Sequence, residues 1–176
     1  RRSSDLADMR PTPINHEVPF PDNEFIVSKT DLKGKITYGN ALFIKLSGYT
    51  EEELLGAPHS ILRHPDMPKA VFKLLWDTIA AGNEIFAYVK NLAKDGSYYW
   101  VEAQVTPSFD DNGKIMAYHS VRRKPSSQTI SLITQVYAQM LSIEAKSGVE
   151  ASAKYLFDLL KQKGVSYDEF IFSLKS

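Results

Sequence analysis

The chain has 176 residues, enough for one domain of ordinary size and an appendage. Its 21 basic and 21 acidic residues cancel, so no global field recruits nucleic acid or an anionic membrane. It contains no cysteine, which excludes disulfides, thiolate metal sites, cysteine nucleophiles and cysteinyl–flavin photochemistry, and fits a reducing cytosol.

Hydrophobic residues make up 43% and charged residues 24%, a globular balance. No stretch approaches the roughly 18 apolar residues that span a bilayer, and no signal-peptide pattern opens the chain. Direct membrane insertion is therefore not expected. The chain opens on Arg1 rather than Met, which fits a processed start or a segment of a longer parent.

Residues 1–23 are polar and proline-rich and read as an extended lead-in. Residues 24–29 form a strand pattern. Asp31-Leu32-Lys33-Gly34 supplies turn chemistry, and residues 35–39 read as the hairpin partner. Asn40 suits the N-cap of a helix carrying Phe43, Ile44 and Leu46. Thr50-Glu51-Glu52-Glu53 is a capping-box sequence before Leu54 and Leu55, with Gly56 as the stop. Val71, Phe72, Leu75, Trp76 and Ile79 predict an amphipathic helix over 69–81.

Three strand-like runs follow, at 84–91, 97–107 and 114–122, joined by Lys94-Asp95-Gly96 and Asp110-Asp111-Asn112-Gly113. Two strands, several short helices and three strands predict an α+β domain: one antiparallel sheet with helices on one face. Residues 126–176 predict a helical extension. Ile130, Ile133, Tyr137 and Leu141 trace one face, widened by Leu132, Val136 and Ile143, and Gly148 and Gly164 break the helices. This wide apolar stripe must be buried, either as a packed cover on the domain itself or, the favoured reading, against a receptor or a second subunit. The organisation expected is therefore a lead-in at 1–23, a sensor domain at 24–124 and an extension at 125–176.

The stretch from Pro58 to Pro68 holds two histidines, an arginine, an aspartate and three prolines in eleven residues. Proline fixes φ, removes a donor and biases the preceding residue away from the helix. A rigid, charge-dense segment suits the wall of a ligand site. Arg63 offers a planar fork of donors, His64 titrates near neutrality, and Asp66 can orient either. Arg122-Arg123-Lys124 reads as a solvated edge, with too few charges for nucleic acid. His16, His59, His64 and His119 lack structural zinc spacing. No nucleophile–base pair or phosphate loop stands out, so no enzyme is expected.

Several pieces together resemble a PAS domain: residues 31–40, Leu46-Ser47-Gly48-Tyr49-Thr50, Val89-Lys90-Asn91, Lys94-Asp95-Gly96 and Tyr99-Trp100-Val101. Arg63-His64-Pro65-Asp66-Met67-Pro68 is more specific. It resembles the flavin-binding PAS domain of bacterial aerotaxis and energy-taxis receptors. The resemblance covers roughly residues 22–125. It implies a five-stranded antiparallel sheet and noncovalent FAD held between the sheet and the helices. It also implies redox sensing through protein contacts, in a cytoplasmic homodimer or on a membrane chemoreceptor. Asn40, Arg63, His64 and Asp66 match the family's site positions. Ile85-Phe86-Ala87 stands where the family has Trp-Ser-Gly, so Phe86 or Tyr88 is the expected aromatic substitute. Asn91 is an expected partner of the ring edge, and Trp76 is weighed between core and cofactor stacking. The length of the extension resembles the stand-alone PAS subunit of a bipartite energy-taxis receptor.

Two alternatives stay open. A haem b sensor would use His59, His64 or His119 as axial ligand. A cofactor-free PAS module would serve protein–protein contact alone.

Overall fold

A computed structural model describes residues 10–174. Period-2 alternation sorts the strands' side chains onto two faces. Strands β1 (Ile26–Thr30), β2 (Ile36–Gly39), β3 (Ile85–Leu92), β4 (Tyr98–Phe109) and β5 (Ile115–Arg123) form one sheet in the order β2-β1-β5-β4-β3. Every pairing in it is antiparallel. On one face lie helices α1 (Ala41–Ser47), α2 (Glu51–Leu54) and α3 (Lys69–Ala80), with a 3-10 turn at His59–Leu62. Helices α4 (Ser127–Ser147), α5 (Val149–Lys163) and α6 (Tyr167–Ser173) follow the last strand. Within the described residues each expected strand and helix is present, with ends shifted by at most two residues.

Local chemistry explains the short helices. Asn40 accepts from the Phe43 amide and caps α1, and Gly48 ends that helix in the left-handed region. Thr50 and Glu53 close a reciprocal capping box around α2. Residues 1–9 of the expected lead-in lie outside the described residues; the rest of it is extended and bound. Ile14 donates to the Gly96 carbonyl and Val18 to that of Tyr98, so residues 14–18 run beside the β3–β4 turn.

The extension follows the less favoured of its two expected readings, a cover on the domain. Its apolar stripe is buried in cis, on the sheet face opposite α1–α3. The inward line is Thr129, Ile133, Tyr137 and Met140, while Leu132 faces solvent. Tyr137 sets that rotation: its hydroxyl donates to the Tyr88 carbonyl at 2.6 Å and its ring stacks on Trp100. Phe172 of α6 packs on Phe86. This chain's own sheet thus covers the stripe expected to meet a partner.

Glu144 continues the same line by one turn and reaches α3. That helix has Pro68 at its N-cap and no side-chain cap of its own. The Glu144 carboxylate accepts from the Lys69 amide at 2.8 Å and the Ala70 amide at 3.1 Å. A carboxylate there also complements the helix dipole. Glu144→Ala is expected to cost about 1 kcal/mol, the usual loss of a cap, and to speed amide exchange in the first turn of α3. Unchanged exchange there would refute the capping role.

Candidate functional site

The inner face of the sheet and helix α3 enclose a cavity of about 350 Å³. That volume lies at the low end of the roughly 300–1,000 Å³ of small-molecule sites. Strand alternation chooses its walls. Val89 and Asn91 of β3, Val101, Ala103 and Val105 of β4, and Tyr118, Ser120 and Arg122 of β5 line it. Phe72, Leu75, Trp76 and Ile79 of α3 form the opposite wall, one helical stripe. The cavity is mostly apolar, with a sheet face on one side and a helical stripe on the other.

Trp76 spans from α3 to the β1–β2 turn. It meets Tyr118 edge-on at 5.7 Å between centroids. A Cβ on Gly34 would come within 2.9 Å of the indole, and Gly34 has φ +82°, so that turn needs its glycine twice over.

The polar groups are unevenly satisfied. Arg63 lies over the Phe72 ring at 3.9 Å, and its backbone bridges to Asn91. Arg122 is 3% exposed and donates to Ser28 Oγ at 2.5 Å and to His59 Nε2 at 3.1 Å. Among the described residues, three of the buried donor atoms without a hydrogen-bond partner belong to the cavity lining: Arg63 Nε, Asn91 Nδ2 and Arg122 Nε. A buried, unpaired donor costs about 1–3 kcal/mol, so three on one cavity point to an acceptor-rich ligand.

Charge agrees. The lining holds Lys33, Arg63 and Arg122 and no aspartate or glutamate. Burial pulls Arg122 down to about 10, which still leaves it protonated at neutral pH. Tyr99 is pushed up to about 12 by burial, so it is a neutral phenol beside that cation. His59 is pushed down to about 3, by burial first and then by the Arg122 charge. An arginine only donates, so His59 Nε2 is the acceptor and the ring is neutral.

The expected site residues divide. Arg63, Trp76 and Asn91 line the cavity, as do His59 and His119. Asn40, His64, Asp66, Phe86 and Tyr88 are absent from its lining. Asn40 Oδ1 accepts from Val27 N at 3.2 Å and Phe43 N at 3.0 Å, and its Nδ2 donates to Phe25 O at 2.9 Å. Its amide is used up clasping β1 to α1. His64 Nδ1 accepts the Asp66 amide at 3.0 Å, so the 3.7 Å approach of the Asp66 carboxylate to that nitrogen is not an ion pair. Asp66 pairs with Lys90 instead, at 2.8 Å.

Phe86 and Tyr88 alternate to the outer face, beneath the extension, and cannot replace the family's tryptophan. That position is Ile85, 2% exposed in the core. Of the basic run, only Arg123 and Lys124 lie on the outside, paired with Glu102 and Asp22. Arg122 is the residue the sequence reading misplaced. The alternation Tyr118, Ser120, Arg122 was the available signal, because it puts the guanidinium on the inner face.

The model of the PAS fold matches residues 36–122. The aerotaxis receptor of Escherichia coli (strain K12) is 39% identical over 127 residues, 72% of this chain and 25% of the receptor. The chain thus spans about a quarter of that relative's length. The light-state structure of the blue-light photoreceptor Aureochrome1 LOV superposes with a TM-score of 0.55 at 27% identity, over 65% of this chain and 90% of that one. A light-oxygen-voltage domain studied with a flavin analogue superposes with a TM-score of 0.54 at 27% identity, over 63% of this chain and 83% of that one. The five-stranded sheet, the helical wall over its inner face and the matched residues lead to one assignment: this chain carries a PAS domain related to those of aerotaxis receptors and light-oxygen-voltage photoreceptors.

Proposed function

We infer that the domain is a redox sensor that holds FAD noncovalently, with the ring between the sheet and α3. The observation that carries this is the presence of three unpartnered donors, Arg63 Nε, Asn91 Nδ2 and Arg122 Nε, on one mostly apolar cavity. The acceptor-rich edge of an isoalloxazine suits them, and Phe72, Leu75 and Trp76 supply one apolar wall. The cavity's volume suits the ring rather than the whole dinucleotide, so the adenosine end would lie outside it. A bound flavin supplies reversible electron uptake. The protein's share is to bind the ring, orient its polar edge and exclude water.

Light sensing through a thiol adduct is not the reading chosen, because the chain has no cysteine. The haem b alternative loses support at His59, whose Nε2 is taken by Arg122, and at His64, which is absent from the lining. The unpartnered donors of the cavity suit ligand binding, and the reading taken from them is a sensor. Its output would run through α4, because Glu144 caps the helix that forms one cavity wall. A ligand moves that equilibrium only by its differential free energy for the two states, a few kcal/mol at most. The receptor-type relative favours a chemotaxis signalling protein as partner, with the domain acting in the cytoplasm as a dimer or on a membrane receptor.

The test is the absorbance spectrum of freshly purified protein, with acid release of any chromophore. Flavin bands that bleach with dithionite and release FAD are expected, and Arg63→Ala should retain at least tenfold less FAD. A Soret band would move the assignment to haem. A colourless protein, unchanged by incubation with FAD or haemin, would leave an interaction module.

A further inference from the structure

We propose that Arg122 is the counter-ion of the cavity's ligand, and that the ligand edge reaching β1 and β5 is anionic or carries the ligand's strongest acceptors. The flavin reading supplies the ligand's identity here; the charge argument stands apart from it.

Arg122 is a full charge at 3% exposure. Its two terminal nitrogens meet Ser28 Oγ and a neutral His59, and its third, Nε, meets nothing. Its Cζ lies 5.1 Å from the centroid of the Phe43 ring. On the strands that flank it, its neighbours in register are Ile26 and Ala103. Among the described residues no carboxylate pairs with it, and none lines the cavity it faces. Burying a cation in that state costs several kcal/mol. Hydrogen bonds to a hydroxyl and an imidazole satisfy donors, but they cancel no charge.

A merely structural arginine would be a poor choice here. An apolar side chain of similar volume at a buried strand position is usually neutral or stabilising relative to an unpaired charge. Retaining the charge makes physical sense if something negative completes it. The second cation, Arg63, stands on the helical side of the same cavity and is also unpaired at Nε. Two guanidiniums therefore border the one cavity. Arg122 stands beside Ser28 and His59, and Arg63 beside Asn91.

A structural role and a ligand role predict opposite signs in the flavin-free protein. Arg122→Met is expected to leave the melting temperature of flavin-free protein unchanged or raised. Ser28 Oγ, 3.4 Å from His59 Nε2, can take over as that nitrogen's donor. The same variant is expected to bind FAD at least tenfold more weakly in a fluorescence titration. Its bound flavin should have a lower midpoint potential, by about 59 mV for each tenfold loss of preference for the one-electron-reduced ligand. Arg122→Lys, which keeps a charge, should fall between the two. Ionisation of the bound ring's imide, followed by absorbance, should occur at lower pH in wild type than in Arg122→Met.

Two results overturn the proposal. One is a flavin-free Arg122→Met that melts well below wild type with unchanged FAD affinity, which makes the arginine structural. The other is an Arg122→Lys as weak as Arg122→Met, which removes charge as the cause. If wild type takes up no FAD, the flavin reading fails, and the melting comparison still decides Arg122. A variant more stable than wild type keeps it as a ligand counter-ion, and a less stable one makes it structural.

Discussion

Acidification from pH 7 to pH 4 is expected to destabilise the flavin-free domain by up to about 3 kcal/mol beyond its carboxylate titration, and His59→Gln is expected to remove that excess. His59 is half-buried, and its remaining surface lines the cavity. Burial and the neighbouring Arg122 charge push its imidazole down to about 3. An unfolded histidine takes up its proton near pH 6.5. Between these values the unfolded chain binds a proton that the folded chain refuses. Stability is therefore complete above pH 6.5 and is lost as pH falls toward 3, at up to about 1.4 kcal/mol per unit. Glutamine keeps an acceptor for Arg122 and does not titrate. Urea unfolding at pH 7, 5.5 and 4 gives the comparison, since carboxylates common to both proteins cancel. Parallel pH profiles for the two proteins would rule out His59 as the source of acid sensitivity.

Asn40→Ala is expected to lower the stability of the flavin-free domain by about 2–3 kcal/mol, with the denaturant slope unchanged. The side chain caps α1 and also makes two bonds at the start of β1, accepting from Val27 N and donating to the carbonyl of Phe25 just before that strand. A cap is worth about 0.5–2 kcal/mol and each further hydrogen bond about 0.5–1.5. Asn40→Asp keeps the acceptor and loses only the bond to Phe25 O, so it should recover most of the loss. Any weakening of FAD binding should track stability across these variants. Full stability with lost FAD binding would instead return Asn40 to the ligand, where its motif position suggested it.

The fold was legible because its signals are local. Gly34, Gly48 and Gly96 mark turns and a helix end, Thr50-x-x-Glu53 starts a helix, and alternating runs mark the strands. Helix α3 was legible for the same reason: Phe72, Leu75, Trp76 and Ile79 keep helical period and all face one way. The site was legible only in part. Arg63 could be singled out because a proline-rich, charge-dense segment is unusual, and Asn91 because it follows two strand residues beside that segment. Asn40, His64 and Asp66 share the motif but spend their polar atoms on the backbone or on Lys90. Spacing cannot show where a hydrogen bond ends.

The amino-acid sequence by itself determined the element order, the antiparallel sheet, the absence of any thiol and a neutral balance of charge, because each follows from composition or from periodicity within a few residues. Tertiary structure alone decided three things. Register turned Phe86 and Tyr88 outward and Arg122 inward, since a one-residue difference in a strand exchanges faces. Packing buried the apolar stripe of α4 on this chain's own sheet, because a helix of that amphipathicity covers whichever apolar face it reaches. Long-range contact placed Glu144 at the start of α3, 75 residues away from Lys69, and no local pattern encodes which of several exposed carboxylates will meet an uncapped helix.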